Sequence, residues 1–163
     1  MMISLRETRV QELDFVLAAE QNQENAPFVI QWTRQQHESA IKNTDQSHLI
    51  IERKTDAKPV GYAILTGLEN PDHSINLRRI VVVEKGKGYG KGALQLIQKL
   101  AFEQLNAHRL WLDVKECNLR ARYLYEAVGF TFEGILREAL LTGDNFDSLV
   151  VMSILRREYE ASE

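Results

Sequence analysis

The chain has 163 residues, 44% of them apolar, and carries a net charge of −3 with a pI near 5.9. That length accommodates one domain with a real core and excludes two large lobes, so residues 1–163 are expected to form a single domain. The acidic balance excludes broad nucleic-acid binding through a basic surface, and the single Cys117 excludes an intrachain disulfide framework.

In chain order, residues 3–7 alternate weakly and read as a first strand. Val10, Leu13, Val16, Leu17 and Ala18 lie at helical spacing within Val10 to Glu20, and Pro27 breaks the pattern. Phe28 to Lys42 reads as one or two short helices carrying Trp32 and Ile41. Ser47 to Arg53 and Val60 to Leu68 form an antiparallel hairpin around Asp56-Ala57-Lys58-Pro59. A third run, Ser74 to Val83, follows Asn70-Pro71-Asp72. The clearest helix comes next, with Ala93, Leu94, Leu96, Ile97, Leu100, Ala101 and Leu105 on one face. His108 to Lys115 is a strand with Leu110, Leu112 and Val114 on one side and Trp111 and Asp113 on the other. Leu119 to Val128 is a short helix capped by Gly129. Phe130 to Leu141 and Ser148 to Leu155 form a second hairpin around Gly143-Asp144-Asn145. The sum is an α/β domain with a mixed, mostly antiparallel central sheet, flanking helices and one evident β-helix-β crossover.

The run Lys85-Gly86-Lys87-Gly88-Tyr89-Gly90-Lys91-Gly92 lies between the β-branched Ile80, Val81, Val82 and Val83 and that helix. A strand, a glycine loop and a helix in this order form an anion cradle. Glycines let the backbone approach a ligand, and the first helical N–H groups point at it unpaired. The helix dipole and Lys85, Lys87 and Lys91 add positive charge, so a diphosphate is the expected ligand. Walker A spacing fails, because three residues separate Gly86 from Gly90 and Gly92 follows Lys91. Gly88-Tyr89-Gly90-Lys91-Gly92-Ala93 also matches the dinucleotide pattern G-x-G-x-x-A, with Asp113 about 20 residues on. A small NAD(P)-binding oxidoreductase is therefore the alternative, and it requires a doubly wound parallel sheet.

Lys85-Gly86-Lys87-Gly88-Tyr89-Gly90 resembles the pyrophosphate loop of the GNAT superfamily of N-acetyltransferases. A second segment, Asn118-Leu119-Arg120-Ala121-Arg122-Tyr123-Leu124-Tyr125-Glu126-Ala127-Val128-Gly129-Phe130, is similar to that family's Asn-x-x-Ala-x-x-x-Tyr-x-x-x-Gly-Phe pattern. The resemblance covers roughly 47–155. Its ending, Phe132 to Glu138 with Asp147 and Ser153-Ile154-Leu155, has the cadence of the branch that includes ribosomal-protein N-terminal acetyltransferases.

The resemblance implies the GNAT-like acyl-CoA N-acyltransferase fold and direct transfer of acetyl from acetyl-CoA to a primary amine in a ternary complex. It implies that main-chain groups of Ile80, Val81, Val82 and Val83 hold the donor. Lys85, Gly86, Lys87, Gly88, Tyr89, Gly90 and Lys91 would cradle its diphosphate. It further implies Asn118 on the pantetheine arm, a position that equally suits a helix N-cap, and Tyr125 as general acid toward the leaving thiolate. Two positions depart from the family. Lys85 stands where Arg or Gln is usual, and Ile75 to Ile80 lacks the strand glutamate many relatives carry. The candidate bases are then Glu20, Glu24, His73 and Asp113, with a water chain as the route needing none. A non-catalytic CoA-binding module is the second alternative.

Acceptor selection is expected from Pro27 to Lys42, Gly67 to His73 and Gly143 to Asp147. Phe28 and Trp32 are candidate pocket walls, and Glu20, Glu24, Asp144 and Asp147 are candidate attractors for a cationic amine. A polyamine, an aminoglycoside, an amino acid and a protein N-terminus all stay open. No metal or nucleic-acid partner is expected, and no membrane partner either, since no 18-residue apolar run or leader-like start exists. The cytoplasm is the expected location. Proteins of this kind often form homodimers, although no exposed apolar pattern is evident in the sequence.

Overall fold

The computed structural model describes residues 2–163. Its single sheet has seven strands: β1 (Ile3–Glu7), β2 (Gln46–Arg53), β3 (Lys58–Thr66), β4 (Ser74–Val82), β5 (Arg109–Lys115), β6 (Thr131–Thr142) and β7 (Asn145–Leu155). The order across the sheet is β1-β2-β3-β4-β5-β7-β6. Among the described residues β4–β5 is the one parallel pairing, and all others are antiparallel. This mixed sheet has the expected fold class and lacks the doubly wound parallel sheet that the oxidoreductase alternative requires.

Helices cover both faces. α1 (Leu13–Gln21), entered through a 3₁₀ turn at Val10–Glu12, and α2 (Arg34–Lys42) lie on one side. α3 (Tyr89–Lys99) and α4 (Leu119–Ala127) lie on the other, and a short α5 (Arg156–Ala161) closes the chain. β3 shows why its sequence is apolar throughout. Tyr62 and Ile64 join Leu13, Val16, Ile50 and Val81 under α1. Ala63 and Leu65, pointing the opposite way, join Leu94, Ile97, Leu110 and Leu112 under α3. A strand covered on both faces reads as a continuous apolar run, as sheet geometry requires.

Three boundaries differ from the sequence reading. Phe28 to Lys42 holds one α-helix, started by Thr33. The Thr33 hydroxyl accepts from the Gln36 N–H at 3.2 Å while the Gln36 side chain accepts from the Thr33 N–H at 2.8 Å. The helix after the glycine loop ends in a π turn over Leu100–Gln104. β7 begins at Asn145, so the last hairpin is tighter than expected, and α5 carries Tyr159 onto Phe102, with ring centroids 4.9 Å apart.

Candidate active site

β4 and β5 pair only where Ser74, Ile75 and Asn76 face Arg109, Leu110 and Trp111. Beyond that rung they diverge, although β4 continues to Val82 and β5 to Lys115. A bulge in β4 accompanies the divergence. Ile64 faces Arg79 and Leu65 faces Leu77, which leaves Arg78 as the extra residue. Bulges bend and twist a strand locally and terminate pairing. Here one opens a cleft of about 1050 Å³ between the two strands.

Strand alternation divides the four expected donor-holding residues. The Val83 N–H donates to the Val60 carbonyl at 2.9 Å, and Val81 lies opposite Tyr62 two residues earlier. Both therefore direct their main-chain groups into β3, and Ile80 and Val82 direct theirs to the cleft. The Val82 carbonyl confirms this, accepting from the Asn25 amide and the Lys85 ammonium, each at 3.3 Å.

The glycine loop forms one end of the cleft. Gly86 and Gly88 both have φ of +79°, and a Cβ placed on either meets nothing within 4 Å. The left-handed backbone demands glycine, and the space beside it is open to a ligand. Gly88 caps α3, and the Gly92 N–H bond to the Gly88 carbonyl (3.0 Å) is the first of the helix. The Tyr89, Gly90 and Lys91 N–H groups are thus the orphan donors of its first turn. The Tyr89 side chain is spent on the core, packed with Ile3, Ile51, Val60 and Ala93. Lys85 is half-buried; loss of water and then the nearby Arg120 push its ammonium below the usual lysine value. Lys87 pairs with Glu84 at 3.2 Å. Such a cradle, with a helix N-terminus, open glycines and three lysines, fits a diphosphate.

Asn118 and Tyr125 line the opposite wall. The Asn118 side chain accepts from the Ala121 N–H at 3.3 Å, so it caps α4. Tyr125 is buried against Phe130, ring centroids 5.9 Å apart, in the turn that Gly129 closes with φ of +103°. Burial, then the charge of Asp113, pushes its phenol up to about 12, so it remains protonated through neutral pH.

The candidate bases separate. Glu24 and Asp113 line the cleft, and burial raises the Asp113 carboxyl against the opposing charge of Arg78. His73 sits at the paired end of β4, where its carbonyl accepts from the His108 and Arg109 N–H groups. Glu20 is only 1% exposed and lies behind β4, away from the cleft lining. Of the acceptor candidates, Phe28 lines the cleft, whereas Trp32 packs over Arg79, 4.6 Å from guanidinium carbon to ring centroid. Asp147 is engaged by Lys115 at 3.3 Å.

Lys115 was missed in the sequence. It is buried and donates to the Pro27 carbonyl at 2.8 Å and to the Thr142 hydroxyl at 3.3 Å, which ties the segment before α2 to the last hairpin. Its place two residues after Asp113 puts it on the same strand face.

Residues 13–130 match the family described as Acetyltransferase (GNAT) family. The spermidine N(1)-acetyltransferase of Escherichia coli (strain K12) is 24% identical over 168 aligned residues, spanning 98% of this chain and 89% of that protein. The putative ribosomal N-acetyltransferase YdaF of Bacillus subtilis (strain 168) is 32% identical over 79 residues, 48% of this chain and 43% of that one. Among solved structures, spermidine N-acetyltransferase from Vibrio cholerae in complex with CoA and spermine superposes with a TM-score of 0.87 at 21% identity, covering 98% of each chain. A dodecameric structure of spermidine N-acetyltransferase from the same organism gives 0.84 at 21% identity, over 99% of each.

Proposed function

We propose an acceptor class and a set of residue roles for this chain, which belongs to the acetyltransferase (GNAT) family. It is an acetyl-CoA-dependent N-acetyltransferase, moving acetyl from that donor to a primary amine. The proposal covers how residues 1–163, taken as one acetyltransferase domain, perform the transfer and on what.

The observation that carries the reading is the divergence of β4 from β5. It leaves the Ile80 and Val82 main-chain groups facing a cleft whose far wall presents Tyr125. An N–H fixed in a strand and aimed at a carbonyl oxygen polarises it without reorganisation. Lys85, Gly86, Lys87, Gly88, Gly90 and Lys91, with the Tyr89 main chain, hold the donor diphosphate, and Asn118 lies beside the arm. Tyr125 donates its proton, or a hydrogen bond, to the sulfur that leaves. Asp113, raised by burial, relays the amine proton to solvent, with Glu24 as the other carboxylate among the candidates lining the cleft.

A polyamine is the acceptor class that fits best. Glu24 and Asp113 line the cleft together with the apolar Phe28, Val29 and Ile30, a mixture of negative charge and carbon that suits an extended polycation. Two relatives named as spermidine N(1)-acetyltransferases align over 98% of the chain and a third over 61%. Arg78, which also lines the cleft, has its guanidinium stacked on the Trp32 ring at 5.1 Å. Steady-state assays with spermidine, spermine, an α-amino acid and an N-terminal peptide test this. Turnover of the two polyamines at kcat/KM at least tenfold above the others is expected. The reverse ranking overturns the acceptor reading.

The chain further forms a homo-oligomer, of which a dimer is the smallest unit. β6 is an edge strand, and Phe132, Ile135, Leu136, Leu141 and Phe146 stand exposed along its hairpin. An exposed edge of this length is a pairing surface that a second copy can cover. Light scattering of wild type against Leu141→Glu should show loss of assembly, and a monomeric wild type would overturn it.

A further inference from the structure

Behind β4, on the α1 and α2 side, lies a chain of polar groups that the reaction does not use. The Glu20 carboxylate is 1% exposed, His37 0%, His48 4% and Thr8 5%. His37 Nε2 lies 3.0 Å from a Glu20 oxygen, and His37 Nδ1 lies 3.0 Å from His48 Nε2. His48 Nδ1 lies 2.8 Å from the Thr8 hydroxyl. One assignment satisfies every atom with both rings neutral. Thr8 donates to His48 Nδ1, His48 Nε2–H donates to His37 Nδ1, and His37 Nε2–H donates to Glu20.

Glu20 gathers three more donors: the Tyr62 hydroxyl at 2.6 Å, the Trp32 main-chain N–H at 3.3 Å and the Arg79 guanidinium. It stands in the last turn of α1, where the helix dipole opposes a carboxylate. Its surroundings, Leu13, Val16, Ile50, Ile64 and Val81, are apolar. A buried ion pair there is poor as a source of stability, because a well-packed apolar pair usually does as well or better. Its value must lie in what it positions.

Two of the groups it holds belong to segments that border the cleft. Arg79 is the first residue beyond the β4 bulge and one before Ile80, whose main chain faces the cleft. Trp32 ends the segment whose Pro27, Phe28, Val29 and Ile30 form the acceptor wall, and its ring covers both Arg78 and Arg79. We propose that Glu20 is a positioning residue that locks the acceptor wall, through Trp32, to the bulge in β4, through Arg79. The two walls are thereby set at a fixed separation by a carboxylate that never meets substrate. The kinetic part of this inference rests on the acceptor reading above; the structural coupling does not.

The test compares wild type with Glu20→Gln, Arg79→Lys and the double variant, at a temperature where circular dichroism shows each folded. Tyr62→Phe, which removes one donor to Glu20 at little change in volume, is the milder variant should those fail to fold. Acetyl-CoA affinity is expected within twofold of wild type, because the glycine loop is untouched. kcat/KM for spermidine should fall tenfold or more in each single variant, and the double variant should fall no further than the worse single. Multiplicative losses, or values within twofold of wild type, overturn the coupling. Amide exchange read by NMR decides independently of any acceptor. Arg79→Lys should speed exchange at the Trp32 amide tenfold or more, and Glu20→Gln should do the same at Val81. If wild type ignores spermidine yet these cross-effects appear, the acceptor reading fails and the coupling stands. If they are absent, the coupling fails.

Discussion

The Asn76 side-chain amide donates to the Trp111 carbonyl at 3.1 Å, at the last rung where β4 and β5 still face each other. One step further the strands have parted and no ladder bond is available. A side chain thus satisfies a carbonyl that the diverging main chain leaves behind. Asn76 is itself held by the Thr66 hydroxyl across β3, at 3.4 Å.

Asn76→Ala should therefore lower stability by about 1 kcal/mol, since the Trp111 carbonyl loses its partner in a half-buried position. Thermal unfolding should show a drop of a few degrees for a chain of this size. An unchanged melting temperature would mean that water replaces the amide without loss.

Tyr125→Phe should reduce kcat by about 10²-fold while acetyl-CoA affinity holds, because the hydroxyl is needed only as the sulfur leaves. Calorimetry and steady-state kinetics measure the two separately. Equal kcat in the variant would remove Tyr125 as the acid.

Two glycines should respond oppositely to added side chains. Gly88→Val meets no protein atom within 4 Å but carries φ of +79°. The chain should fold with a loss of about 1–2 kcal/mol and bind acetyl-CoA too weakly to detect. Gly61→Ala would put its Cβ 2.3 Å from the Val81 carbonyl oxygen, across the β3–β4 rungs that set the cleft wall. That variant should lose roughly 3 kcal/mol or more. Melting curves with and without acetyl-CoA distinguish the two.

His48 should make the fold acid-sensitive well above the carboxylate range. Burial, then the positions of His37 and Arg79, lower its pKa from 6.5 to about 4. Below pH 6.5 the unfolded chain takes up a proton that the native ring refuses. Stability is full above that value and falls as the pH drops toward 4. The difference amounts to about 3 kcal/mol at its limit. Melting temperatures from pH 7 to pH 5 should decline less steeply for His48→Gln than for wild type; parallel curves would count against it.

The elements that carry the donor site were legible because their signals are local. Gly88 is marked by its neighbours, and Asn118, Tyr125 and Gly129 match a family pattern within one short segment, so the resemblance pointed to the α3 and α4 ends of the cleft. Expectations failed where the outcome depends on pairing. The Arg78 bulge exists only in the register of β4 against β3, and nothing in Leu77-Arg78-Arg79-Ile80 announces it. The main-chain groups of Val81 and Val83 turn into β3 for the same reason, since which N–H faces which neighbour follows from register. Glu20 read as a candidate base or cation attractor because its partners come from four separate segments. The exposed β6 edge gives no signal in the sequence: Phe132, Ile135 and Leu136 stand exposed because the sheet order places that strand last.

The three rungs between β4 and β5 make the sheet two panels sharing a short hinge, β1–β4 on one side and β5–β7 on the other. A donor seated between them would span the gap as a strut and touch both panels at once. Donor binding should then stiffen the twist of the whole sheet, by limiting rotation of one panel against the other about Asn76 and Trp111 while each ladder stays as it is.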